Sequence, residues 1–530
     1  MVAISRRRFL GGASTAAAAL AVPALAQTPR RGGTLRFIPI ADLKVLDPIW
    51  TTAYVTRDHA YMIYDTLFAT DANYQVQPQM VASYTVSRDA MRYRFTLRDG
   101  LKFHDGQPVT AEDCVLSIAR WGKKDSLGKL LMAATAKLTS LDRKTFALEL
   151  GEPFGPVLEA LGKPSSNVPF IMPARLAATD PNEPVKEPVG SGPYKFVRGE
   201  WQPGNQVVYE RNAEYVPRNE PPSGAAGGKR VFVDRVVARY IPDSATASAA
   251  LEAGEIDWWD IPPPDFVVRL EKNPRIEILV KNPVGNQGWL RPNHLHPPFN
   301  NKKARQALVA MVDQETYLHA IIGQAKYYRV CPAYFMCGGA PYETAVGAPR
   351  KPDLERARQL LREGGYDGRA IVLLDPVDNP NLHGAALVTQ ELLQKIGATV
   401  DLQSQDWATV IARRGKKDPP LRGGWNLMPV NWISADVMTP AVNTGLSGGC
   451  DKAWFGWPCI PELERLRAEW MRASDPARRK QIAEQIQTVA YDEVPYVPWG
   501  QYTQPTAYRK HVRGVLKFPA TILWNIAVDA

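Results

Sequence analysis

Long apolar runs are what this chain of 530 residues has least of. Past residue 30 no stretch approaches the roughly 20 apolar residues needed to cross about 30 Å of hydrocarbon, so no membrane span is expected. Clustered positive charge is also missing. The formal net charge of +10 is small for the length. The longest basic run, Arg413-Arg414-Gly415-Lys416-Lys417, follows a helical stretch and reads as a solvated loop, which argues against a nucleic-acid partner. Internal repeats and long low-complexity linkers are absent. A chain this long exceeds one simple core and implies two or more lobes.

The first residues are a targeting segment and stand apart from the fold. Ser5-Arg6-Arg7-Arg8-Phe9-Leu10 precedes a weakly apolar run, Gly11 to Val22, and Ala24-Leu25-Ala26 supplies the small residues of a cleavage site. Residues 1–26 therefore read as a twin-arginine export signal addressed to the periplasm. No cysteine follows the cleavage site, so no lipid anchor is expected. Removing the three arginines of this segment lowers the formal charge to +7.

Cysteines are few, five in all. In an exported chain their spacing suggests disulfides: Cys331 with Cys337, and Cys450 with Cys459, leaving Cys114 alone inside a helix. Zinc is the rival reading, with His294 and His296 close by. Neither cysteine pair has a short zinc-knuckle spacing and the histidines lie among prolines, so no metal or other cofactor is expected.

Along the chain, Gly32 to Ile38 is an apolar, β-prone strand. From Val55 to Leu67 apolar and aromatic residues recur at helical spacing, which predicts a helix with a buried aromatic face. Thr51, Thr52 and Tyr54 lie in the loop before it, placed either to cap the helix or to meet a ligand. Strict alternation from Tyr93 to Leu97 gives a half-buried strand. Thr110 followed by Asp113 starts a helix, in capping-box fashion, that runs to Trp121. His104-Asp105 flanks a turn, where neighbouring side chains point apart, and reads as structural.

Between Pro349 and Trp407 helices and strands alternate. Asp353 caps a helix to Glu363, and Ile371 to Leu374 is a strand. Ala385 to Lys395 is a helix with Leu387, Leu392 and Leu393 inward, and Val400 to Gln403 is a second strand before a helix at Trp407 to Ala412. This spacing predicts a parallel strand pair with a right-handed crossover.

The richest stretch runs from Gly424 to Cys459 and holds Trp425, Trp432, Trp454 and Trp457 with the isolated carboxylate Asp436. Gly445-Leu446-Ser447-Gly448-Gly449 has the spacing of a hydrolase elbow, with His511 the one histidine after it. An elbow needs a strand before the serine and a helix after it. Here no helical period begins until Pro461, so a secreted serine hydrolase using Ser447 is the weaker reading. The stronger one is a pocket that binds and does no chemistry.

Several segments resemble the family 5 extracellular solute-binding proteins, receptors for dipeptides, oligopeptides and nickel complexes. Phe95 to Trp121, with Phe103-His104-Asp105-Gly106-Gln107-Pro108 and Thr110-Ala111-Glu112-Asp113, resembles the family signature, with Cys114 where an aliphatic residue is usual. Val189-Gly190-Ser191-Gly192-Pro193-Tyr194, Ala250-Leu251-Glu252-Ala253-Gly254-Glu255-Ile256-Asp257, Pro298-Phe299-Asn300-Asn301 with Arg305-Gln306-Ala307-Leu308, and Ala357-Arg358-Gln359-Leu360-Leu361 with Gly365-Tyr366 follow in family order. The resemblance covers essentially the whole chain after the signal.

It implies an α/β, two-lobed periplasmic-binding-protein fold of type II, of the large peptide-binding kind with an extra subdomain, closing by a hinge. The larger lobe is expected at 27–287 plus 500–530 and the smaller at 288–499. Hinge strands are expected near 282–293, bracketed by Pro283 and Pro292, and near 494–503, bracketed by Pro495 and Pro498. A monomer that is no enzyme would deliver a small molecule or short peptide to an ABC permease.

In peptide receptors of this family an aspartate four residues before a proline meets the ligand's amino group. Asp436 stands four before Pro440, with Trp432 upstream, one residue farther away than usual, and Thr439 in place of an acidic residue. Asp436, Trp432, Asn431, Trp289, Tyr54 and, in the hinge region, Arg291 are therefore the candidate ligand residues. A cationic group on the ligand is expected, and the tryptophans could face it or pack in the core. Short peptide, metal chelate, amine-bearing metabolite or opine, and oligosaccharide remain open.

Overall fold

The computed structural model describes residues 31–529. The export signal at 1–26 lies outside the described residues. Three sheets organise the rest. The first has seven strands with Thr34–Ile38 at its centre, flanked in parallel by Arg235–Arg239 and Trp258–Trp259. Thr506–Arg509, near the end of the chain, inserts antiparallel between Trp258–Trp259 and Ile276–Leu279, so both ends of the described chain build one sheet. A four-stranded antiparallel sheet, Val81–Val86, Arg92–Leu97, Thr145–Leu150 and Thr135–Ser140, packs beside helix Ala111–Lys124. Both halves of the expected Thr110–Asp113 capping box are made at that helix start.

The six-stranded sheet runs in the order Tyr328–Arg329, Val497–Tyr502, Asn286–Pro292, Leu427–Ile433, Ile371–Pro376, Val400–Gln405. The predicted parallel pair is present, with Ile371 to Pro376 in register with Val400 to Gln405. Asp353 accepts from the Arg356 amide at the start of helix Leu354–Glu363, as its sequence predicts. The helix between the parallel strands begins at Pro380, five residues earlier than expected. Asn379 caps it and Pro380 takes the first position, where a missing N–H costs nothing. Its inward face is Leu382, Ala385, Ala386, Thr389, Leu392 and Leu393. Leu387 falls on the opposite face and is 43% exposed, against expectation.

The aromatic helix is also shorter than its periodicity suggests, Tyr54–Ile63. The turn at Gly190 to Gly192 stops it. Gly192 N donates to Ile63 O, and a Cβ on Gly190 would lie 1.9 Å from that oxygen. The chain leaves helical geometry at Tyr64 and enters the short strands Asp65–Thr66 and Phe68–Thr70.

Asn286–Pro292 and Val497–Tyr502 pair with each other in the six-stranded sheet. The ladder shifts register between Gly288 and Trp289, and Gly288 admits the Trp499 ring so closely that a Cβ would sit 1.9 Å from it. The chain changes sheet between Leu279 and Asn286 and returns between Tyr502 and Thr506. The cut points 287/288 and 499/500 therefore fall inside strands, a few residues from these changes. One hydrophobic cluster spans both sheets, from Leu35, Tyr61 and Trp121 to Trp289, Tyr334, Trp470 and Tyr496, so the two halves are closed on each other.

Cys331 pairs with Cys337 and Cys450 with Cys459, and Cys114 is free and buried. Among the described residues no helix is long and apolar enough to cross a membrane.

Candidate functional site

Asp436 sits in the one-turn helix Ser434–Val437 that ends strand Leu427–Ile433. Its carboxylate is buried where the two halves meet. Oδ2 accepts from Tyr54 Oη at 2.8 Å and from Ser165 Oγ at 3.3 Å, and Oδ1 accepts from Ser166 Oγ at 2.9 Å. All three donors come from the half built on the seven-stranded sheet. Ser165 Oγ in turn accepts from Arg57 Nη1 at 2.8 Å, so the cation reaches the carboxylate through a hydroxyl. Arg57 lies 4.5 Å over the Tyr54 ring and donates from Nε and Nη2 to Asp58. Burial, and next the Asp436 charge, raise the Tyr54 phenol well above its ordinary pKa, so it remains a donor.

A second cluster is aromatic. Trp289 stacks on Tyr496 at 4.0 Å and on Trp432 at 5.9 Å, and Trp454 meets both tryptophans edge-on. Two guanidinium groups lie near Trp454, Arg291 at 5.2 Å and Arg414 at 5.6 Å from the ring centre. Arg291 is fully buried and donates to four backbone carbonyls, of Gly445, Trp454, Phe455 and Pro495. Burial lowers its pKa to about 9. Arg414 lies over Phe455 at 4.8 Å and Trp407 at 6.0 Å, and burial lowers its pKa to about 10. The indole N–H groups of Trp289 and Trp432 and the Arg414 Nε are buried without an acceptor. This corner holds donors and positive charge in excess of acceptors.

The sequence candidates thus divide. Tyr54 and Asp436 are bonded to each other; Trp289, Trp432 and Arg291 share the aromatic cluster; and Asn431, on the other face of its strand, donates to Tyr502 Oη at 2.7 Å. Ser165, Ser166, Arg57, Arg414 and the ring of Trp454 complete the two clusters and were not among the candidates. The basic run is a correction. Arg413 is nearly buried and donates to Gly423 O and Gly424 O, and Arg414 is seated on rings, so only part of that run is solvated.

The hydrolase geometry is absent at Ser447. A 3-10 turn, Thr444–Leu446, precedes the serine, and His511 is engaged with Asp257 at 3.0 Å in the other half. His104 Nε2 lies 3.1 Å from Gly192 O and its partner in sequence, Asp105, meets Arg175, so that pair is structural. His294 and His296 lie against backbone carbonyls. Among the described residues no group of three or more His, Cys, Asp or Glu is arranged to hold a metal ion.

The profile described as "Bacterial extracellular solute-binding proteins, family 5 Middle" matches residues 75–453. The chain belongs to this family. A relative from Sinorhizobium fredii (strain NBRC 101917 / NGR234), named "Probable peptide ABC transporter periplasmic-binding protein y4tO", is 40% identical over 529 residues, covering 99% of each chain. Two solved binding proteins superpose over nearly all of it. The binding protein AgaA, in complex with agropinic acid, from A.tumefacien R10, has a TM-score of 0.79 at 23% identity, covering 94% of this chain and 99% of that one. The oligopeptide-binding protein AppA from Bacillus subtilis, in complex with a nonapeptide, has a TM-score of 0.76 at 22% identity, covering 95% and 100%. The family 5 fold is the two-lobed α/β arrangement described above, and the protein is a solute-binding protein of ABC importers, not an enzyme.

Proposed function

We propose that this protein is exported by its twin-arginine signal to the periplasm, where it acts as a monomer. There it captures a small peptide-like ligand between its lobes and presents it to the membrane permease of a peptide importer. The lobes would turn about the sheet changes at 280–285 and 503–505. The observation that carries the ligand class is the opposed polarity of the two clusters. Asp436 has hydroxyl donors and no direct ion pair among the described residues, while the Trp432–Arg414 corner holds N–H donors without acceptors. A ligand with an amine at one end and a carboxylate at the other complements both. The amine would replace the hydroxyls at Asp436, and the carboxylate would take up Arg414 and the indole N–H groups. The name of the Sinorhizobium relative points the same way.

The test begins with mass spectrometry of what co-purifies from the periplasm of the native host. Calorimetry then compares trialanine with its N-acetylated and C-amidated forms. Either blocking is expected to weaken binding at least tenfold. Equal affinity for the blocked peptides would overturn the zwitterion assignment, and a co-purified ligand bearing neither group would overturn the ligand class.

A further inference from the structure

The segment 154–167, in the half built on the seven-stranded sheet, meets the other half at two places. One is the pair Ser165 and Ser166 at Asp436. The other lies at the opposite end of the segment, and the ligand reading does not use it. There Gly155 N donates to Met471 O at 2.7 Å, and Arg479 Nη1 donates to Glu159 Oε1 at 2.7 Å.

Each side of this second contact is shaped by its own half. Helix Pro461–Arg472 ends here, and the last carbonyls of a helix have no partner within it. Met471 O takes the Gly155 amide, and Ala473 O takes Arg479 Nε at 2.7 Å. Arg479 is buried and lies 4.9 Å from the centre of the Trp470 ring, so groups of its own half aim its guanidinium at Glu159. Glu159 is half-exposed in the short helix Val157–Leu161. Behind it the segment is tied down. Gly162 O accepts from Thr70 Oγ1, Lys163 pairs with the buried Asp125, and Asn167 Nδ2 donates to the carbonyls of Pro48, Ile49 and Thr51. Two preformed surfaces meet with little left to order.

Gly155 is the residue that permits the contact. It is not among the glycines of positive φ, so its own backbone does not require the missing side chain. The space does: a Cβ there would meet Ala473 O and Arg479 Nη2 inside contact distance. The arginine can swing aside, but the backbone oxygen cannot. A larger residue at 155 is therefore compatible with parted halves and obstructs closed ones.

We propose that Gly155 and Glu159, with Met471 and Arg479, form a closing latch that sets the fraction of closed protein and the rate of ligand release. They are positioning residues, since neither belongs to the clusters assigned to the ligand. The inference rests on the reading that the lobes part and close about a ligand. A ligand then gains affinity from a contact it does not make, because the latch offsets part of the free energy of closure.

Spin labels on Lys137→Cys and Lys480→Cys, both exposed and one in each half, read the separation of the halves by double electron–electron resonance, without ligand and with trialanine. Cys114 is buried and the other cysteines are paired, so the labels go to the new positions. Gly155→Ala is expected to lower the ratio of closed to open protein at least about tenfold, with its urea unfolding unchanged. Glu159→Arg is expected to lower it about threefold at low salt and to recover in about 1 M sodium chloride, where the repulsion from Arg479 is screened. This second variant alters a half-exposed side chain and carries the test if Gly155→Ala fails to unfold cooperatively. An unchanged ratio in Gly155→Ala, an effect of Glu159→Arg that salt does not relieve, or a parent protein that never shows the closed separation would each overturn the latch. A shift in Gly155→Ala with no response of any variant to trialanine would support the latch and count against the ligand reading alone.

Discussion

Tyr54 and Asp436 lie 382 residues apart in sequence and share a hydrogen bond of 2.8 Å across the junction of the two lobes. The bond does in the closed form what a ligand amine would do: it gives the buried carboxylate a donor. Closure is then set by the difference between what each state offers Asp436. Tyr54→Phe removes one donor to an ionised acceptor, worth about 1.5–3 kcal/mol. The expected outcome is a larger radius of gyration for the ligand-free variant in small-angle scattering, with the compact value restored by saturating ligand. An unchanged radius would show that the hydroxyls do not hold the lobes together.

Arg291 is expected to act through stability. Its donors are spent on four carbonyls from three loops, and no carboxylate shares them. Arg291→Ala leaves buried acceptors unpaired and should cost about 3 kcal/mol or more in urea unfolding. Arg291→Lys should recover little, because a single ammonium cannot reproduce the planar fork. A stable Ala variant with weakened ligand affinity would reverse this assignment.

What the sequence revealed was local or periodic. The Thr110–Asp113 capping box, the Asp353 cap and the parallel pair around helix Pro380–Lys395 each depend on residues close in the chain, and each is present. The family motifs carried the two-lobed fold. What stayed hidden depends on distant partners. Ser165 and Ser166 reach Asp436 from 271 and 270 residues away, and no periodicity marks two serines before a strand. Arg414 looked solvated because its neighbours Lys416 and Lys417 are charged, whereas its guanidinium lies over rings from a loop 40 residues on. Leu387 misled because one helical face already carried enough apolar residues to be buried without it.

Acid should destabilise the protein before its carboxylates protonate. Burial lowers the pKa of His59 to about 3 and of His104 to about 4, both below the ordinary 6.5. Between pH 6.5 and 5 the unfolded chain binds protons at these positions and the folded chain does not. Stability therefore rises with pH in this window and is lost as pH falls. The slope approaches about 1.4 kcal/mol per pH unit for each such group. Urea unfolding at pH 7, 6 and 5 measures it, and His59→Gln should flatten the profile. A profile equally steep in that variant would remove His59 from the account.

The Cys450–Cys459 disulfide should matter more for binding than for folding. It closes a loop of nine residues, which puts its stabilisation near the low end of the usual range, about 2 kcal/mol. That loop, however, carries Trp454 and Phe455, the rings that hold Arg414 and meet Trp432. Freeing it loosens one wall of the corner proposed for the ligand carboxylate, and a loose wall must be ordered on binding. The double variant Cys450→Ala/Cys459→Ala is expected to fold, to lose about 2 kcal/mol in urea unfolding, and to bind the identified ligand at least tenfold more weakly by calorimetry. The equivalent variant at Cys331 and Cys337, remote from those rings in sequence, should lose stability with a smaller loss of affinity. Equal affinity losses in the two variants would mean that the aromatic wall is held by its packing on Trp289 and Trp432, without help from the crosslink.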